Sequence, residues 1–145
     1  MRASTAVGMA LAGVLAGCGS RLPALPPACS DGPQHVLRAL RAAPGAVRLA
    51  DGTLLSRCVA SAYADGEIQQ LGFSFTQAAD ALARTHTPAA ALRLGYLVGA
   101  VRRGAARTNG VQGELVRRLE STVRYDDPAL QAHARRGARA GEARG

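Results

Sequence analysis

Three cysteines, Cys18, Cys29 and Cys58, and three histidines, His35, His86 and His133, are the side chains in this chain with most scope for nucleophilic or metal chemistry. Their spacing argues against both. Zinc sites draw ligands from closely spaced Cys or His pairs, and Cys29 and Cys58 lack a C-x-x-C partner. None of the histidines has a carboxylate or second histidine three or four residues further on, so none presents a metal pair on a helix face. There is no G-x-S-x-G elbow and no H-E-x-x-H, and no serine or cysteine stands in a recognisable nucleophile context. Asp126-Asp127 is the only adjacent acidic pair, and Pro128 beside it marks a helix start where capping accounts for the carboxylates. All 18 basic residues are arginine. Without lysine, P-loop, pyridoxal-phosphate and Schiff-base chemistries are excluded, since each needs the lysine amine. No metal, no cofactor and no catalytic residue is expected.

Ahead of the first cysteine, Arg2 precedes a short apolar run from Ala6 to Ala16, which ends in Leu15-Ala16-Gly17-Cys18. That order resembles the lipobox of bacterial lipoprotein signal peptides. The resemblance covers about the first twenty residues and implies that 1–17 are removed and that Cys18 becomes a lipidated N-terminus. The apolar run has the length of a signal-peptide core, roughly 7 to 15 residues, and is shorter than the roughly 18 to 20 a membrane-spanning helix needs. Each buried acyl CH₂ contributes about 0.8 kcal/mol, so two or three chains, palmitate among them, hold a protein durably. The expected location is the extracytoplasmic face of the cell membrane, or an outer membrane where the source has one.

With Cys18 assigned to lipid by that resemblance, Cys29 and Cys58 are an even pair in an oxidising compartment, where a disulfide is the expected state. Two free buried thiols are the alternative. Export also bears on the net charge of +8. A basic chain can bind nucleic acid by releasing counterions from phosphates, but an exported protein rarely meets that partner. The aromatic residues Tyr63, Phe73, Phe75, Tyr96 and Tyr125 are not interleaved with basic residues as stacking platforms are. Envelope proteins, anionic lipid head groups or anionic cell-wall polymers are the expected partners, and nucleic acid is not.

The elements that must carry these residues are helical. Residues 18–28 hold three prolines, which favours an extended tether between the lipidated cysteine and the domain. Ser30 or Asp31 is placed to cap a helix with Pro33 in its first turn and Val36, Leu37 and Leu40 inward. Asp51-Gly52 between Val47-Arg48-Leu49 and Thr53-Leu54-Leu55 predicts a short β-hairpin over 47–55. Ser56 then caps a helix to about Leu71, with a break at Asp65-Gly66 allowed by the cost of the glycine. Ser74 and Gln77 have capping-box spacing for a short third helix. Thr87-Pro88 starts a fourth, ending near Asn109-Gly110, and Val111, Leu115, Leu119 and Val123 form the stripe of a fifth.

Within the fourth helix, Gly95-x-x-x-Gly99 puts two glycines on one face, where another backbone can approach. Close packing inside a soluble bundle is the expected use, with a partner or ligand against that face as the alternative. The pairs Arg102-Arg103 and Arg117-Arg118 read as a solvated face, because Glu114 to Arg118 and Glu120 to Arg124 are favourable i,i+4 pairs. Residues 126–145 carry Leu130 as the one large apolar side chain, so this basic tail is expected to stay partly disordered.

The sequence therefore predicts an all-α protein, a small bundle of four to five helices over 29–125, following a signal peptide over 1–17 and a lipidated tether over 18–28. The expected role is a non-catalytic, lipid-anchored binding or assembly module of the cell envelope. The rival readings are a small envelope hydrolase and a carrier of a small apolar ligand.

Overall fold

A computed structural model describes residues 24–145. The signal peptide at 1–17, Cys18 and most of the tether lie outside the described residues. The described chain is all-helical, with six α-helices: α1 Pro33–Ala39, α2 Leu55–Ser61, α3 Asp65–Ala83, α4 Pro88–Ala105, α5 Gly113–Thr122 and α6 Pro128–Arg144. α4 is the centre. Every residue from Leu94 to Val101 is buried in it, and α2, α3, α5 and α6 all contact it.

Local chemistry sets the helix ends. Thr87 Oγ1 accepts from the Ala90 N–H at 3.3 Å, with Pro88 in the first turn of α4; Asp127 Oδ1 accepts from the Ala129 N–H at 2.7 Å, with Pro128 in the first turn of α6. Both are the expected union of a capping oxygen and a proline that has no N–H to satisfy. α1 instead begins after Gly32, at φ 89°, with neither Ser30 nor Asp31 capping it.

The predicted hairpin is not formed. Among the described residues there is no strand, and 47–55 keeps a single antiparallel bridge between Arg48 and Leu54. Gly52, at φ 84°, supports the expected turn, and the Leu49 N–H donates to Thr53 O at 2.8 Å. The second arm ends because α2 starts at Leu55, so Thr53 and Leu54 alone could pair.

α3 also departs from expectation. The break falls at Ala62–Ala64, between α2 and α3, and α3 then runs unbroken through Ser74. Glu67, three residues past the N-cap, accepts from the N–H groups of Tyr63 and Ala64 and so starts the helix. Ser74 is buried within α3, where its hydroxyl donates to Gln70 O at 2.9 Å rather than capping anything.

The largest correction is the C-terminal tail. Residues 128–144 form a continuous helix, α6, whose Leu130, Ala134, Gly137 and Gly141 are buried. Its packing needs no large side chains. A Cβ built at Gly95 would lie 2.9 Å from Ala134 Cα, and one at Gly99 would lie 2.8 Å from Glu142 N. Reciprocally, one at Gly137 would lie 2.8 Å from Tyr96 N, and one at Gly141 2.8 Å from Ala100 N. Gly95 lies against Ala134 and Gly99 against Ala138, so α4 and α6 run parallel. Their backbones touch through a glycine face on each side, and dispersion between closely packed main chains replaces the burial of large apolar groups.

Candidate functional site

Cys29 and Cys58 lie at disulfide-bonding distance, with Cα atoms 5.5 Å apart, and both are buried. This pair ties the short 3-10 turn Pro27–Ser30 to α2, fixing where the tether enters the domain. Gly95 and Gly99 are covered by α6, so the face that could have held a partner is occupied by the chain itself.

The histidines stay apart. A ring N–H of His35 donates to Asp31 O at 2.9 Å from Nδ1; His86, at φ 48°, packs edge-on to Tyr125; His133 lies on α6. Among the described residues no group of three or more His, Cys, Asp or Glu side chains is close enough to hold a metal ion. Burial raises the pKa of the Tyr125 phenol, whose hydroxyl has no partner among the described residues.

The arginine pairs are partly spent on structure. Arg102 donates from Nε to Glu120 at 2.7 Å and from Nη1 to Glu142 at 3.0 Å, linking α4, α5 and α6. Burial works against the Arg102 charge, but the hydrogen bonds to Glu142 and Glu120 outweigh it and raise its pKa. Arg103 donates to the Ala143 carbonyl at 2.6 Å, at the α6 C-terminus where a cation is favoured. Glu114 pairs with Arg118 at 2.7 Å and also with Arg117. Glu120, expected to pair with Arg124, reaches back to Arg102 instead.

One surface is not spent on structure. Phe73 is 58% exposed and Val111 54% exposed, and they are the exposed large hydrophobic side chains of the described residues. Both line the same trough, of about 560 Å³, between α3 and the start of α5. On its α3 side Ile68, Gly72, Thr76 and Asp80 stand at four-residue steps along one face of the helix, with Phe73 at the rim beside Gly72. Opposite stand Val111, Glu114 and Arg118, with buried Gln112 and Leu115 beneath. Gln112 is held there because its Nε2 donates to Ala62 O at 3.2 Å and its N–H to Thr108 Oγ1 at 3.4 Å.

The sequence pattern placed Val111 in the core stripe of α5. In fact it precedes the helix, after a turn where Asn109 and Gly110 both take positive φ, and its side chain stays exposed while Leu115 and Leu119 are buried. Phe73 carried a signal: two residues before Phe75 on a helix, it is about 200° away from it. Only one of the two can face the core, and Phe75 does.

No protein-family model matches the chain, and no match to it was found among the curated proteins or the solved structures.

Proposed function

We propose that this chain is a non-catalytic, lipid-anchored binding module at the extracytoplasmic face of the membrane, and that the trough between α3 and α5 is its working surface. The anchor rests on Leu15-Ala16-Gly17-Cys18 and the apolar run before it. The proximity of Cys29 and Cys58 supports an oxidising compartment. No helix of the described residues is long and apolar enough to cross a membrane, so attachment through them would have to be by other means.

The observation that carries the binding role is the coincidence of Phe73 and Val111 in one trough. Single exposed apolar residues are ordinary on protein surfaces, whereas apolar residues gathered in a concave site mark a place for a ligand or partner. The core itself is closed, with Leu40, Leu55, Leu71, Leu94 and Leu97 fully buried, and the cleft of about 140 Å³ between α4, α5 and α6 has no exposed large hydrophobic side chain in its lining. A volume of about 560 Å³ also suits a small apolar ligand, which is the second reading.

The test is crosslinking and co-isolation from native membranes, comparing the wild type with Phe73→Ser combined with Val111→Ser. Both side chains are exposed, so circular dichroism should show an unchanged fold. Loss of defined crosslinked species supports the trough as the working surface, and an unchanged set of species counts against it.

A further inference from the structure

We infer that the trough receives one face of a basic amphipathic helix from a protein partner, with apolar side chains seated between Phe73 and Val111 and a partner lysine or arginine meeting Asp80. This rests on the reading of the trough as a binding surface, and three observations select the occupant.

The first is length. The lining residues of α3 run from Ile68 to Asp80, which at the rise of an α-helix is ~18 Å. That is about three turns of a docked helix, and longer than one compact small molecule needs.

The second is openness at the rim with room at the floor. Phe73 and Val111 keep more than half of their surface in water, so the trough is open along its rim, whereas small-molecule sites close around most of the ligand. A helix laid in a groove leaves its polar face in solvent, so half-open walls suit it. On the floor, no atom lies within 4 Å of a Cβ position at Gly72, so an incoming helix can come close to the α3 backbone.

The third is charge. On a chain of net charge +8, the trough holds two carboxylates, Asp80 and Glu114, and one guanidinium, Arg118. Glu114 is engaged by Arg117 and Arg118. Asp80 forms no ion pair among the described residues, Arg84 one turn further on included, so its carboxylate at one end of the trough is free to take a cation. An arriving cation would be paired there, and an arriving carboxylate repelled.

The test uses the full chain carrying Cys18→Ser, so that no acyl group competes for the trough. The probes are a Leu/Lys amphipathic model helix, its Leu/Glu counterpart, and the small apolar dye N-phenylnaphthylamine, read by amide chemical shifts and by anisotropy of the labelled peptides. The Leu/Lys helix should shift Gly72, Phe73, Val111 and Leu115 and should bind about threefold tighter than the Leu/Glu helix, the scale of one partly exposed ion pair. Gly72→Leu, which fills the open floor, should abolish this binding while leaving the fold intact. Asp80→Asn should keep the shifts at Phe73 but remove the preference for the basic helix. Equal binding of the two helices, shifts elsewhere on the molecule, or no peptide binding overturns the inference. If the dye alone fills the trough, the helix occupant is wrong while the binding-module reading stands; if no probe reaches the trough, both fail.

Discussion

Gly99→Ala adds one methyl group to the middle of a helix, and in isolation that change is favourable by about 1 kcal/mol of helix propensity. The structure reverses the sign. The new carbon would stand 2.8 Å from Glu142 N and 2.9 Å from the Ala138 carbonyl carbon, and closer still to the carbonyl oxygen. Comfortable separations between non-bonded heavy atoms are roughly 3.5 to 4.0 Å, and the obstructing atoms are backbone, which has no rotamer to change. α6 must move away from α4, and the contacts at Gly95, Gly137 and Gly141 loosen with it because they belong to the same face. Overpacking costs about 1 to 3 kcal/mol, and a backbone obstacle argues for the upper part of that range. Subtracting the propensity gain leaves a net loss of about 1 to 2 kcal/mol. Gly72→Ala is the matching control: the same methyl, inside α3, with nothing within 4 Å. It should stabilise by about 0.5 to 1 kcal/mol. Urea unfolding followed by far-UV circular dichroism reads both, and equal stabilisation by the two variants would refute the backbone contact between α4 and α6.

Cys18→Ser should abolish fatty-acid labelling and move the protein to the soluble or unprocessed fraction; labelling that survives would remove the lipobox from the account. Exported protein should show no free thiol at Cys29 or Cys58 after denaturation without reductant, and reduction should lower stability by roughly 3 to 4 kcal/mol; two free thiols would contradict this. Asp51 is held below the ordinary carboxylate pKa by hydrogen bonds from the Thr53 backbone and side chain. Its contribution is therefore present above the unfolded value near 4 and lost as pH falls through the lower folded value. The 47–55 turn should loosen only in acid, seen as a shift of the Thr53 amide, and loosening on raising the pH from 4 to 7 would have the wrong sign.

How much of this was legible in the sequence depended on the size of the side chains that do the packing. Thr87-Pro88 and Leu115 with Leu119 are large or chemically distinctive, and they were placed correctly. α6 was missed because burial was counted in large apolar residues, and residues 128–144 offer one. Its signal was spacing: Gly137, Gly141 and Gly145 repeat the four-residue step of Gly95 and Gly99, and each glycine series is the surface the other needs. The trough was hidden for another reason. It arises where α3, read as two helices, runs straight past Ser74, and where Val111 sits before the start of α5. Both depend on how far a helix extends, which local patterns determine weakly because tertiary contacts override propensity.

Hydroxyl-radical footprinting of Phe73, in the purified protein and in its native membranes, reads whether the trough is occupied where the protein works. Phe75 is the internal reference, because it is fully buried in the core and should react slowly in both. Phe73, exposed in the free protein, should be oxidised rapidly when purified and protected several-fold in the membrane, where the trough is occupied. Equal oxidation of Phe73 in the two settings would contradict that occupancy.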